Sequence, residues 1–322
     1  MPARDSSLLP SVVEAIGHTP LVELGRITKN EPGRILAKLE YLNPGLSKKD
    51  RIARQIIEEA ERDGSLKRGQ TVVELTSGNT GTALAIVCAV KGYPFVAVMS
   101  RGNTPERARM MSALGAEVVL VDQASDSTVG KVTGEDLKLV EEATKEIVAD
   151  NGAFRADQFI LKGNFRAHYL HTGPEILKQS HGKIDAFCDF VGTGGTFAGC
   201  AAAFKEYNSK IKCYVVEPSG AAVLAGRTLA NASHMIQGGG YNMAELEMIN
   251  RNHIDGYLQV TDDVAVSMTR RLAREEGIFA GFSTGANLAA ALQLLPNQHQ
   301  AQTIVIIACD SGLKYLSTDL WY

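Results

Sequence analysis

The chain has 322 residues, of which 45% are hydrophobic and 21% are charged. Such a composition is typical of a folded globular protein and excludes long disordered regions. At roughly 150 residues per domain, the length predicts about two domains. The 33 lysines and arginines against 36 aspartates and glutamates give a net charge of −3. Because there is no basic block, this weak negative charge argues against nucleic acids and anionic membranes as partners.

Neither a membrane span nor a secretion signal is expected. The longest apolar runs, at 83–90 and 304–309, fall well short of the ~18 residues that a membrane span needs. Residues 1–5 carry a charge pair without the long apolar segment of a signal peptide. The five cysteines are odd in number, have no C-x-x-C spacing and mostly lie in apolar runs. We therefore expect buried free thiols in a cytoplasmic protein, without a disulfide or zinc framework.

Short β-branched runs alternate with longer helical patterns along the chain. Strands are predicted, in chain order, at 71–75, 95–99, 117–122, 184–191, 211–217, 257–261 and 303–309. Helices are predicted at 80–91, 105–114, 135–150, 164–179, 196–207, 262–276 and 284–295. The helix at 164–179 is expected to break near Gly173 and Pro174, because proline removes a helical hydrogen bond. This alternation predicts mostly parallel sheets covered by helices, in two α/β halves that meet at a cleft.

Three loops rich in glycine, serine and threonine each precede a predicted helix of small residues, at 76–81, 192–196 and 281–285. Glycine permits close approach of the backbone to a ligand. The free N–H groups and the positive end of the helix dipole then favour an anion. A single loop of this kind is common between a strand and a helix. Three in one chain predict a ligand with more than one anionic group.

The spacing of these loops does not fit the P-loop or the dinucleotide-binding fingerprint. The chain has no GxxxxGK[ST] sequence, and Phe197 stands where the fingerprint needs its third glycine. The loop at 281–285 matches the GxSxG motif of α/β-hydrolases, with Ser283 as the nucleophile. That motif needs an acid and then a histidine later in the chain, but no aspartate or glutamate lies between Ser283 and His299. A hydrolase is therefore disfavoured.

The segment Asn43–Arg51 is a polar turn that leads into a helix and contains Lys48 and Lys49. Its pattern, Asn-Pro-x-x-Ser-x-Lys-Asp-Arg, is followed in order by Thr-Ser-Gly-Asn-Thr-Gly, Gly-Thr-Gly-Gly-Thr and Gly-x-Ser-x-Gly-Ala. Together these motifs resemble the pyridoxal-phosphate enzymes of the cysteine synthase and cystathionine β-synthase family. Further matches, from His18-Thr-Pro near the start to Tyr315-Leu-Ser near the end, extend the resemblance over nearly the whole chain.

The resemblance implies the tryptophan synthase β-like fold (fold type II). In that fold two doubly wound open-sheet α/β domains hold pyridoxal 5′-phosphate in the cleft between them. We expect an N-terminal domain over 1–157 that carries the cofactor lysine and the carboxylate loop and includes a mobile part near 95–150. A C-terminal domain over 158–322 would carry the phosphate loop, and the N-terminal segment can cross over to it. A homodimer is expected on the same analogy.

The resemblance also implies roles for individual residues. Lys49 would form the internal Schiff base with the cofactor, for which its amine must be deprotonated. Asn79 would bond the ring oxygen, and Ser283 would face the pyridine nitrogen and leave it unprotonated. Lys48 is expected to be a solvated charge that faces outward, since adjacent residues do not share a helix face. The cofactor phosphate would lie on the loop of Gly192, Thr193, Gly194, Gly195 and Thr196.

The implied substrate is an activated serine or another β-substituted amino acid, whose α-carboxylate would be bound by Thr76, Ser77, Thr80 and Gln158. The first choice is cysteine synthase chemistry, in which O-acetylserine and sulfide give cysteine and acetate. Tyr241, expected beside the substrate, lies in a turn that resembles the Gly-Tyr form of cystathionine β-synthases. Three alternatives therefore stay open. They are the cystathionine β-synthase reaction or a related serine sulfhydrase reaction, diaminopropionate synthesis, and cyanoalanine synthesis. His168 and His171 have HxxH spacing, but no metal site is expected.

Overall fold

The computed structural model describes residues 8–76, 78–125, 132–231, 234–295 and 302–322. Two predictions fall outside these ranges, namely the substrate role of Ser77 and the character of residues 1–5. Within them, the chain forms two mostly parallel β-sheets with helices packed against both. The predicted α/β class with two open sheets is confirmed.

Ten strands lie in the described ranges: β1 (Leu21–Glu23), β2 (Arg34–Leu39), β3 (Val72–Leu75), β4 (Phe95–Ser100), β5 (Glu117–Val121), β6 (Phe154–Arg155), β7 (Ala186–Phe190), β8 (Lys212–Pro218), β9 (Gly256–Val260) and β10 (Thr303–Ala308). The larger sheet has the order β1-β2-β10-β7-β8-β9, in which β1 is antiparallel to β2 and the other neighbours are parallel. The smaller sheet, β5-β4-β3-β6, is parallel throughout. Every residue of β3, β4, β7 and β10 is buried, because helices cover the sheets.

Nine α-helices occur in the same part of the chain: α1 (Lys49–Asp63), α2 (Asn79–Lys91), α3 (Pro105–Ala113), α4 (Gly134–Asn151), α5 (Gly163–Ala167), α6 (Gly173–Gln179), α7 (Gly195–Tyr207), α8 (Asp262–Arg271) and α9 (Phe282–Leu294). Two π-helical segments, His168–Thr172 and Leu272–Glu276, continue α5 and α8. The predicted break near Gly173 is a change of helix type, since Gly173 keeps helical angles of φ −58° and ψ −56°. Pro174, which has no N–H to donate, follows at the second residue of α6, just after the π-helical turn.

The strands β1, β2 and β6 are absent from the sequence predictions. In β2 the charged Lys38 interrupts the apolar pattern, yet its side chain is buried. Lys38 Nζ donates to Glu175 Oε2 and to the carbonyl oxygen of Thr19, both at 2.6 Å. Because β1 pairs with β2 and β2 pairs with β10, these two early strands belong to the larger sheet. The division into domains at 157 and 158 stays a prediction.

Two further predictions concern the burial of the cysteines and the absence of a membrane-spanning helix. All five cysteines, each of which lies in the described ranges, are buried free thiols, as predicted. None of the helices described is both long and apolar enough to cross a membrane.

Candidate active site

The three predicted anion loops and the lysine segment meet at the carboxyl ends of parallel strands. One loop joins β3 to α2 and another joins β7 to α7. The third, at 281–285, forms the start of α9, which begins at Phe282. The lysine segment reaches the same edge because Ser47 forms an antiparallel bridge with Asp310, just past β10. Ligands of open α/β sheets bind at this edge, where the strand ends and helix N-termini face a common space.

The residues predicted to hold the cofactor line one cavity. Its walls include Lys49, Asn79, Gly192, Thr193, Gly194, Thr196 and Ser283. A second cavity adjoins it and shares three of these residues, and it is also lined by Thr80, Gln158 and Tyr241. Gly195 is the first residue of α7 and lies just behind the loop. The structure therefore brings together the predicted cofactor residues and three of the predicted substrate residues.

The Lys49 side chain is half-buried and lies against the phosphate loop. Its Nζ lies 3.4 Å from Thr193 Oγ1, a neutral partner. Burial, and after it the positive charge of Lys48, lower the pKa of Lys49 to about 7. A large share of the Lys49 amine is therefore neutral near neutral pH, as attack on an aldehyde requires.

Lys48 also points inward, so the prediction of a solvated charge is wrong. Its side chain is 12% exposed, and its Nζ lies 2.9 and 3.0 Å from the two carboxylate oxygens of Asp189. Asp189 belongs to the buried strand β7. Lys48 lies at the N-cap of α1, just outside the helix, so the rule that neighbours occupy different helix faces does not apply to it.

The loop before α7 is built to receive an anion. Gly194 has φ +86°, in the left-handed region that favours glycine, and it stands at the N-cap of α7. No side chain in the described part of the chain caps this helix, so its first N–H groups can serve a ligand. Gly192 approaches the turn at 237–241 so closely that a Cβ would lie 2.3 Å from the Gly238 carbonyl oxygen. The small residues and hydroxyls of this loop fit the phosphate of pyridoxal phosphate.

One histidine of the HxxH pattern, His168, supports the loop. His168 Nε2 lies 3.2 Å from Thr196 Oγ1. Burial, with help from nearby positive charges, holds the pKa of His168 well below its usual range, so the ring is neutral. Glu175, the acidic residue closest to His168 and His171 in sequence, accepts hydrogen bonds from Arg51 instead. The ranges that the structure describes contain no cluster of three or more metal-binding side chains.

Two charged residues fix the side-chain amide of Asn79. Asn79 Nδ2 donates to Asp310 Oδ2 at 2.7 Å, and Asn79 Oδ1 accepts from Lys314 Nζ at 2.7 Å. An amide nitrogen carries two N–H groups, so the second can donate to the cofactor ring oxygen. Sequence reasoning missed Asp310 and Lys314. A signal was available, since both are buried charges that closely follow the apolar strand β10.

The predicted carboxylate-binding residues differ in their present contacts. Thr80 Oγ1 donates to Gln158 Oε1 at 2.7 Å, which turns the amide nitrogen of Gln158 away from Thr80. Thr76 Oγ1 accepts from the backbone N–H groups of Gly78 and Gly81, at 2.9 and 2.8 Å. Thr76 therefore stabilises the start of α2 and does not line either cavity, whereas Thr80 and Gln158 face the second one.

Comparison with known proteins agrees with this geometry. Residues 12–310 match the family described as pyridoxal-phosphate dependent enzyme. Cysteine synthase of Staphylococcus aureus (strain Mu50) is 40% identical over 312 residues, which cover 97% of this chain and 96% of the relative. O-acetylserine sulfhydrylase isoform 3 of Entamoeba histolytica has a TM-score of 0.90 and 34% identity, covering 100% of this chain and 94% of that one. A hydrogen sulfide-producing enzyme of Fusobacterium nucleatum has a TM-score of 0.88 and 39% identity, covering 96% and 100%. The resemblance inferred from the motifs is thus confirmed, and the chain belongs to the family of pyridoxal-phosphate dependent enzymes.

Proposed function

We propose that this protein is a cysteine synthase, which converts O-acetylserine and sulfide into cysteine and acetate with pyridoxal 5′-phosphate. One observation carries the proposal: the half-buried amine of Lys49 lies 3.4 Å from Thr193 Oγ1 in the phosphate loop. It occurs in a chain 40% identical to a cysteine synthase. The cofactor, when bound, supplies an electron-withdrawing ring that stabilises negative charge at the substrate α-carbon.

In this proposal Lys49 has two tasks. Its neutral amine holds the cofactor covalently, and once released it takes the proton from the substrate α-carbon and returns it at the end. A pKa of about 7 suits both directions of proton transfer near neutral pH. Ser283, which lines the cofactor cavity, would present a hydroxyl rather than a carboxylate to the ring nitrogen. This favours loss and replacement of the β-substituent over transamination, because an unprotonated ring is a weaker electron sink.

The second cavity would receive the amino-acid substrate. The second N–H of the Gln158 amide and the N-terminal N–H groups of α2 would donate hydrogen bonds to its α-carboxylate. Thr80 would join them once its hydroxyl turns away from Gln158 Oε1. Phe159 and Tyr241 lie at the same cavity, with ring centroids 6.2 Å apart. These rings would exclude water from the reacting β-carbon.

The direct test is a substrate panel. The purified protein, supplied with pyridoxal phosphate, is mixed with O-acetylserine and sulfide, or with serine and homocysteine, and the products are identified by mass. We expect cysteine from the first pair, at a rate that depends on both substrates. Omission of sulfide is the control. Cystathionine from the second pair, without cysteine from the first, would overturn the choice of reaction in favour of cystathionine β-synthase chemistry.

A second candidate, use of serine with a larger thiol, is favoured by Tyr241 and the cleft beside it. Tyr241 lines both the substrate cavity and a wider cleft that also contacts Leu75 and Leu137. This cleft offers room for a nucleophile larger than sulfide. A tyrosine hydroxyl beside the β-carbon can help hydroxide to leave from serine, but acetate leaves without such help.

We therefore expect Tyr241→Phe to lower turnover of serine by about 10-fold or more while turnover of O-acetylserine changes little. The measurement is kcat/KM for each amino acid with its thiol partner, on the wild type and the variant. An equal loss for both amino acids would show that the hydroxyl has no part in leaving-group departure.

Several predictions rest on the family analogy. We propose a homodimer, a cytoplasmic location and closure of the part near 95–150 over the bound substrate. Closure would exclude water from the reactive site. A sedimentation measurement checks the dimer, and hydrogen exchange with and without substrate checks the closure.

A further inference from the structure

Two adjacent lysines reach the cofactor cavity, and the proposed function uses one of them. Lys48 and Lys49 both line the cavity that contains the phosphate loop. Each carries a primary amine that can condense with an aldehyde. In this condensation the amine nitrogen bonds to the aldehyde carbon, and one water leaves as the carbon–nitrogen double bond forms. An ammonium has no lone pair and cannot take part.

The two amines differ in their partners. Lys48 Nζ contacts both oxygens of Asp189, at 2.9 and 3.0 Å. Asp189 is 1% exposed, and its Oδ1 also lies 3.4 Å from Asn287 Nδ2. Asn287 is itself held by Phe190, whose backbone N–H donates to Asn287 Oδ1 at 2.6 Å. Lys49, by contrast, meets the neutral hydroxyl of Thr193. One amine therefore has a fixed counter-ion and the other has a neutral partner.

The other titratable groups that face the two lysines do not supply a second negative charge beside Asp189. Cys309 Sγ lies 3.9 Å from Asp189 Oδ1, but burial raises the pKa of this thiol to about 12 and keeps it neutral. Burial also raises the pKa of Glu74 well above its usual range. The ring of His168 is neutral, because burial lowers its pKa. Burial opposes the charge of Lys48, but the Asp189 carboxylate outweighs it and raises the pKa of Lys48.

We propose that Asp189 selects which of the two adjacent amines binds the cofactor covalently. It holds Lys48 as an ammonium, which cannot attack the aldehyde. The charge of Lys48 in turn disfavours a second positive charge on Lys49, which stays neutral and reactive. This inference rests on the proposed function and adds a positioning residue to it. Asp189 contacts the amine of Lys48 and acts through it.

The test maps the attachment site in wild type and in Asp189→Asn, a replacement of nearly equal size. Each protein is loaded with pyridoxal phosphate and reduced with borohydride, which adds hydride to the carbon–nitrogen double bond and makes the attachment permanent. Peptide mass analysis then gives the share on each lysine. In Asp189→Asn we expect the share on Lys48 to rise at least about tenfold, because an unpaired buried ammonium gives up its proton. The double variant with Lys48→Met should return all label to Lys49.

Label confined to Lys49 in both wild type and Asp189→Asn would overturn the inference. No label on any lysine of the wild type would instead overturn the proposed function, so the two failures are distinct. A second variant covers the case in which Asp189→Asn does not fold. In Lys48→Met, the pH midpoint for attachment of pyridoxal phosphate to the apoprotein should rise above that of wild type, because a positive neighbour is lost. An unchanged or lower midpoint would contradict the role given to Lys48.

Discussion

Lys49→Ala is expected to abolish covalent binding of pyridoxal phosphate and to lower kcat for cysteine formation by at least about 1000-fold. The variant loses both the amine that holds the cofactor and the base that moves the α-proton. Two measurements check this: visible absorbance of the loaded protein, and the rate of cysteine formation from O-acetylserine and sulfide. Because Lys49 is the first residue of α1, where alanine is well tolerated, the fold should survive.

A matched control removes a lysine outside the site. Lys91 ends α2 and forms an ion pair with Glu61 at 2.7 Å on a part of the surface away from the cavity. Lys91→Ala should keep the bound cofactor and the activity of wild type, since surface ion pairs contribute little to stability. If Lys49→Ala retained covalent cofactor or full activity, the lysine assignment would be wrong.

The second large effect is expected from Gly192→Ala. The added Cβ would lie 2.3 Å from the Gly238 carbonyl oxygen, so the phosphate loop or the turn at 237–241 must move. Overpacking of this kind costs about 1–3 kcal/mol, and the cost falls on the loop that would hold the phosphate. We therefore expect affinity for pyridoxal phosphate to fall by about 10- to 100-fold. Titration of the apoprotein with the cofactor measures it.

Gly25→Ala is the matched control, because a Cβ at Gly25 meets nothing within 4 Å. Its cofactor affinity should equal that of wild type. Thermal unfolding of the two apoproteins separates a local effect on the loop from a general loss of stability. Equal cofactor affinity in Gly192→Ala and wild type would mean that this close contact does not shape the phosphate site.

The parts of the fold that sequence reasoning predicts are those with local signals. β3 with α2 and β7 with α7 each combine an apolar run, a glycine loop and a small-residue helix within about 20 to 25 residues. β1 and β2 lack such a signal, because β2 carries Lys38 and depends on a partner far away in the chain. That partner, Glu175, is 137 residues away. Pairing over such a distance cannot be read from periodicity.

The same distinction applies to the site. Lys49, Asn79 and Ser283 lie in motifs whose order and spacing identify them, and the structure brings them to one cavity. Lys48 is misread because its partner, Asp189, is 141 residues away. Asp189 does leave a trace in the sequence, as a single acidic residue within an apolar strand. A charge in such a strand must have a partner or a function.

The proposed chemistry depends most on the bond between Lys49 and the cofactor. Its most direct test is borohydride reduction of the wild-type protein loaded with pyridoxal phosphate, followed by peptide mass analysis. We predict a protein that absorbs visible light before reduction and carries one reduced cofactor, on Lys49. A colourless protein in which reduction labels no residue, or labels only lysines outside the cavity, would contradict the proposed chemistry.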